Sequence, residues 1–180
     1  KSLFEQREMY LDTHSWDVAL RSVLRQDPNI VMVGEMRDPE TVDAALRISE
    51  TGHLVMASLH TNSAAQTVDR ILSSFTQDRR AEISILLASS LEVVISQRLV
   101  KGKDGRLYPA VEVMLASEAV RSLIRENKTF LLDNIITTSS QMGMISLEKS
   151  LADLVNNNLV DIDEAIKFTT NPQILKRLVK

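Results

Sequence analysis

Two short, largely apolar runs, Ile30-Val31-Met32-Val33 and Leu54-Val55-Met56-Ala57-Ser58-Leu59, constrain this chain more than any other feature. Each is too short for a buried helix, and the first is rich in β-branched residues, so each is expected to be a buried strand, the first on both faces. Between them Asp38 precedes Pro39, an N-cap followed by proline at the first helical position, with Glu40 and Asp43 early in the helix and Gly52 to stop it. Strand, capped helix and strand within about 30 residues make a βαβ unit, whose two strands run parallel. The first part of the chain is therefore α/β.

The flanking segments extend this reading. Ser15 caps a helix running to about Gln26, with Leu20, Val23 and Leu24 on one face, and Asp27-Pro28-Asn29 is a turn. Lys1 to Thr13 carry no clear signal. Asn62 or Ser63 caps a helix that ends near Ser74, and a long helix is expected from about Arg79 to Arg98. Lys101-Gly102-Lys103-Asp104-Gly105 is a turn between two extended pieces, the second of which, Leu107 to Met114, contains Pro109 and favours an edge. From Ser117 the pattern is helical throughout, with helices expected near 117–126, 129–137, 146–157, 161–168 and 171–179. Ser117, Ser146 and Asp161 are their candidate caps. A division is expected between residues 1–116 and 117–180.

Composition narrows the chemistry. Cysteine is absent, which removes disulfides and thiolate metal sites and fits a reducing compartment. Net charge is −3 without a Lys/Arg run, which disfavours nucleic acid as a partner. Ile83 to Leu99, the longest apolar region, is interrupted by Ser84, Glu92 and Arg98, so it reads as a buried amphipathic helix and not a membrane span. A soluble, cytoplasmic protein is expected. Aromatics are 4% of the chain, so its core must be built from Leu, Ile, Val, Ala and Met.

Parallel strands put their carboxyl ends on one edge, and ligands of open α/β sheets bind outside that edge. Glu35 follows the first run and His60 the second, so a carboxylate and an imidazole should meet at one rim. Such a pair could coordinate a magnesium-bound water and report on a phosphate, or each could be an ordinary hydrogen-bonded loop residue. His53 and His60 lie at the two ends of the second strand, ~20 Å apart, and so cannot hold one metal ion together. His14 has no evident partner. None of the five glycines has another five positions later, so the G-x-x-x-x-G-K-[ST] phosphate loop is absent. Losing even one preorganised donor at a transition state costs about 3–4 kcal/mol, so this chain alone is expected to be a very poor ATPase.

Two segments carry a resemblance. Asp27-Pro28-Asn29-Ile30-Val31-Met32-Val33-Gly34-Glu35-Met36-Arg37-Asp38 resembles the Walker B segment of the secretion-ATPase superfamily. Thr51-Gly52-His53-Leu54-Val55-Met56-Ala57-Ser58-Leu59-His60-Thr61-Asn62 resembles its histidine box, in the same order and spacing. The resemblance runs from Gln6-Arg7-Glu8 through Asp161. It implies part of a RecA-like P-loop ATPase core (1–116) followed by a small all-helical region (117–180), and it implies ATP and Mg²⁺ as cofactors. Glu35 would be the Walker B glutamate positioning Mg²⁺ through its waters. His60 would lie near the γ-phosphate and couple hydrolysis to domain movement, and His53 would be the box's first histidine, contacting nucleotide or serving structure. Arg37 reads as a packing or salt-bridge residue, and Arg98 as either a subunit-boundary residue or an exposed helical arginine.

Two features select within the superfamily. The type II secretion branch usually carries a four-cysteine zinc insert after Gln97-Arg98-Leu99, where this chain has only Lys101 to Arg106. Ala119-Val120-Arg121-Ser122-Leu123-Ile124-Arg125-Glu126 resembles a retraction-ATPase motif. On a helix, Arg121 and Arg125 share a face while Leu123 and Ile124 lie largely on others, which suits a docked helix displaying two cations, with Glu126 completing the motif. The resemblance thus implies a homo-hexameric motor for type IV pilus retraction, working with an inner-membrane platform protein at the cytoplasmic face. Walker A, the aspartate box, the arginine fingers and the PAS-like domain of the family are not in this sequence, so a fragment is expected and no catalytic base is assigned. Competing readings are a non-catalytic interaction module of a pilus or secretion motor, an assembly or secretion ATPase of the same superfamily, and a DNA translocase.

Overall fold

The computed structural model describes residues 3–180. Helix α1 (Trp16–Gln26) begins at Ser15, whose hydroxyl accepts from the Val18 amide, and leads into strand β1 (Ile30–Val33). Helix α2 (Pro39–Glu50) starts as expected, with Asp38 accepting from the Thr41 amide and Pro39 in its first turn. Gly52 takes a positive φ of 90° just beyond its end, the conformation that glycine adopts without a Cβ clash. Strand β2 (Leu54–Ala57) then pairs with β1 in parallel, Ile30 opposite Leu54 and Val33 opposite Ala57. Strand, helix and parallel strand follow the sequence as expected.

Helix α3 (Ala64–Ser73) is capped by Ser63, and helix α4 (Gln77–Ser90) follows. Here the expected long helix is corrected. It stops at Ser90, the backbone extends at Leu91 (ψ 132°), and Val93–Lys101 form strand β3. Serine hydroxyls of Ser89 and Ser90 turn back onto the Leu86 carbonyl, and the β-branched Val93, Val94 and Ile95 favour a pleated surface. What fixes the outcome is a partner: β4 (Leu107–Leu115) pairs antiparallel along the whole of β3. The amphipathic-helix reading of Ile83–Leu99 therefore holds only for its first half. The intervening turn places Gly105 at φ 81°, and a Cβ on Gly102 would clash with the Tyr108 ring.

The later helices are α5 (Glu118–Arg125), α6 (Leu132–Thr138), α7 (Leu147–Asn156), α8 (Ile162–Ile166) and α9 (Pro172–Leu178). Ser117 and Ser146 cap as expected, while Asp161 stands at the N-cap of α8 with no capping hydrogen bond from its side chain. Two apolar clusters hold these elements. One joins α2, α3 and α4 through Val42, Val68, Ile71, Ile83 and Leu87 to Met114, Val120, Ile124, Leu132 and Ile136. The other packs Val100 and Ala110 of the hairpin against Leu151, Val160, Ala165 and Leu175. Burying one such Leu or Ile side chain contributes about 1.5–3 kcal/mol. Phe75 is the sole aromatic among the buried core residues described, as the composition implied.

The β1–β2 pair departs from the expected burial. Val33 is buried, but Ile30, Met32, Leu54 and Met56 are each about half or more exposed. The parallel register puts these four on one face, and no described element covers it; on the other face Val33 is buried, Val31 and Val55 are half-buried and Ala57 is exposed. No helix among the described residues is long and apolar enough to cross a membrane.

Candidate functional site

The polypeptide beyond the carboxyl ends of β1 and β2 is stitched together by two further hydrogen bonds. The Met36 amide donates to the Ser58 carbonyl (2.9 Å), and the Ser58 hydroxyl donates to the Gly34 carbonyl. This continues the pairing past the strands and sets Glu35 beside His60. The imidazole Nε2 of His60 lies 3.0 Å from Glu35 Oε1, and the rim contact expected from parallel strands is present.

Arg37 occupies the other carboxylate oxygen. Its Nε and Nη2 lie 2.6 and 2.5 Å from Glu35 Oε2, so it is a salt-bridge residue at the turn after β1. That hydrogen bond first, and the Arg37 charge and the neighbouring His60 with it, hold the Glu35 carboxyl below its ordinary value despite some desolvation. Glu35 is thus an ionised carboxylate at a sheet edge, its side chain 22% exposed, facing an imidazole that is 85% exposed. This geometry can orient a cation-bound water and sense a neighbouring anion.

His53 is not part of this pair. It sits at the start of β2, the end away from Glu35, with Nδ1 2.8 Å from Thr51 Oγ1 and 3.3 Å from the Ile48 carbonyl at the end of α2. The 119–126 segment also behaves differently from the sequence expectation. Arg121 is not displayed: its side chain is 17% exposed and donates to the carbonyls of Ala88 (2.6 Å) and Ser89 (3.0 Å) and to Glu92 Oε1 (3.2 Å). It closes the carbonyl end of α4, where four unpaired acceptors and a partial negative charge attract a cation. Arg125 is exposed and lies 3.8 Å from Glu118. Ile124 is fully buried and Leu123 is packed against the same cluster, while Glu126 is exposed between Ser122 and Lys128. One cation of the two is therefore available at the surface.

Two residues of the hairpin reach the histidine loop. Arg98, on β3 and not on a helix, donates to Asn62 Oδ1 (2.9 Å) and to the Asn62 carbonyl (2.7 Å). Glu112, on β4, is 8% exposed and accepts from the Ala64 amide at 2.6 Å. Sequence reasoning missed Glu112. The signal was available: it stands at an inward position between Ala110 and Met114 in a strand of period two, where a carboxylate requires a donor.

Burial pushes the Glu112 carboxyl above its ordinary value. The Ala64 hydrogen bond opposes that shift, while the charges of Asp133 and Glu148 reinforce it. Burial also raises Asp133, with Glu148 and Asp69 contributing. A carboxyl raised by folding binds its proton more tightly in the folded state, so its contribution to stability is full below the unfolded value and lost as pH rises through the folded one. Thermal midpoints are therefore expected to fall as pH rises above the ordinary carboxylate range, chiefly through Glu112. Glu112→Gln, which retains an acceptor for Ala64, should reduce that fall, as measured by scanning calorimetry. An unchanged slope would mean that Glu112 does not titrate in this window.

A family model for type II/IV secretion system proteins matches residues 12–129. Over 96% of its length the chain is 44% identical to a twitching motility protein of Neisseria gonorrhoeae and, likewise over 96%, 44% identical to the type IV pilus retraction ATPase PilT of Pseudomonas aeruginosa. Those alignments cover 46% and 50% of the two relatives. The crystal structure of the pilus retraction motor PilT with bound ADP superposes with a TM-score of 0.83 at 40% identity, covering 96% of this chain and 49% of that one. The chain spans about half the length of the curated relatives it matches.

Proposed function

Because the chain belongs to the family of type II/IV secretion system proteins, we propose that it is the C-terminal part of the catalytic core of a motor ATPase that drives type IV pilus retraction and twitching motility. The observation that carries this reading is the ionised Glu35 beside His60 at the carboxyl edge of two parallel strands. Its support from relatives is the alignment to retraction and twitching proteins along nearly the whole chain.

On this reading Glu35 holds magnesium through a coordinated water, a task suited to an ionised carboxylate with one oxygen turned toward the rim. Magnesium, when bound with ATP, supplies charge neutralisation at the phosphates. His60 reads the terminal phosphate from the neighbouring loop, and Arg37 keeps the Glu35 carboxyl ionised and oriented. His53 ties β2 to the end of α2 and has a structural part. Phosphate binding itself, the catalytic base and the arginine fingers fall to an upstream half that this sequence does not contain, so the chain alone is inactive. Residues 1–116 form the nucleotide-facing part and 117–180 a helical part, the two joined by the cluster that links Ile83 to Ile124 and Leu132. The working assembly is a homo-hexamer at the cytoplasmic face of the inner membrane, engaging a platform protein through the helix bearing Arg125.

The absent phosphate loop also favours a second reading, a non-catalytic module that binds motor subunits. Calorimetry separates the two. The chain by itself should bind no Mg-ATP at millimolar concentration. Joined behind the upstream half of the Pseudomonas retraction ATPase, it should bind at micromolar concentration and hydrolyse. A correctly folded chimera that binds nucleotide without turnover would support the non-catalytic module instead.

A further inference from the structure

We infer that Arg98 and Glu112 make the β3–β4 hairpin the positioning element of the His60 loop, setting where the imidazole stands relative to Glu35. The inference rests on the proposed role of His60 for its functional meaning, though not for its geometry. His60 is exposed and less firmly held than Glu35: the carboxylate is gripped by two nitrogens of Arg37, whereas the imidazole, apart from its contact with Glu35, has only the loop behind it. What holds that loop is therefore what holds the imidazole.

Three residues downstream of His60 are fixed from two directions. From α3, the Thr61 hydroxyl meets that of Thr67 at 2.7 Å, and Gln66 accepts from the Asn62 amide at 3.1 Å. These bonds tie the loop to its own helix. From the hairpin, Arg98 grips both the side chain and the backbone of Asn62, and Glu112 accepts the free amide of Ala64 in the first turn of α3. Ser96 is opposite Glu112 and Arg98 opposite Ala110, so the two anchors are diagonal neighbours on one face of the hairpin. A guanidinium fork on two oxygens fixes direction as well as distance, which a single hydrogen bond cannot.

The hairpin is in turn held by the C-terminal helices. The Val111 amide donates to the Ser150 hydroxyl on α7 (2.9 Å), Val113 and Ile145 exchange both backbone hydrogen bonds, and the Lys103 amide donates to the Leu159 carbonyl. Val100 and Ala110 sit in the cluster formed with α7, α8 and α9. A continuous set of contacts thus runs from that helical bundle through Arg98 to the loop of His60.

The test is nitrogen NMR of the histidine side chains in this 180-residue chain, without nucleotide, at fixed pH. Glu35→Gln removes the carboxylate partner and is expected to move the His60 ring signals while those of His14 and His53 stay. Arg98→Gln should move the same signals in the same direction, and Glu35→Gln added to it should have less than about a third of its original effect, the mark of coupled residues. Arg98→Lys, which keeps one donor for Asn62, should fall between, and serves where the glutamine variant loses its folded spectrum. His60 signals unmoved in Arg98→Gln and Arg98→Lys, with the full Glu35→Gln effect retained, would overturn the inference. If the chimera described above hydrolyses ATP, Arg98→Gln should lower kcat about tenfold with KM within about twofold, as a misplaced group does. Failure of the chimera to hydrolyse would count against the ATPase reading alone, since the NMR outcome involves no nucleotide.

Discussion

Replacing Glu35 by glutamine in the chain joined to a phosphate-loop-bearing upstream half is expected to lower ATP hydrolysis by about 10²–10³-fold while nucleotide binding persists. The carboxylate is ionised, held by Arg37 on one oxygen and by His60 on the other. Glutamine keeps the shape and an acceptor but loses the charge that, on the proposed reading, orients a cation-bound water. It also leaves Arg37 without its anion, so the guanidinium is free to leave the position it holds against Oε2. The loss should therefore fall on kcat more than on KM. Steady-state phosphate release, measured beside binding of a fluorescent nucleotide, checks this. Turnover within a factor of about three of the parent would remove Glu35 from the chemistry.

Ile124→Ala is expected to destabilise the chain by about 2–5 kcal/mol, the range for emptying a buried isoleucine site. Ile124 is fully buried and belongs to the cluster that joins Ile83 and Leu87 of α4 to Leu132 and Ile136 of α6. Urea unfolding monitored by circular dichroism reads the change directly. Arg125→Ala, one residue away but exposed, should shift stability by less than about 0.5 kcal/mol. The contrast matters for this helix, since two adjacent substitutions that both impair function would do so for different reasons. A stability change below about 1 kcal/mol for Ile124→Ala would mean the helix is not docked as described.

The parts of this protein that its sequence determined are those set within a few residues. Ser15, Asp38, Ser63, Ser117 and Ser146 each accept from an amide three residues on, so capping was legible one helix at a time. The apolar runs at 30–33 and 54–57 flank a helix of fitting length, and a helical crossover of that length returns the chain for a parallel pairing, which brings Glu35 and His60 to one rim. The missing phosphate loop was equally plain. Other features were decided by partners far along the chain. Residues 93–98 became a strand because β4 supplies the ladder, and before that partner is known their apolar spacing continues the helix of α4. Arg121 appeared displayed because helical spacing gives a face but not what lies against it, here the open carbonyl end of α4. The anchors of the His60 loop span 36 residues from Arg98 to Asn62 and 48 from Glu112 to Ala64. A buried carboxylate and a forked guanidinium both demand partners, but only the packing of the hairpin on α3 decides which backbone groups those are.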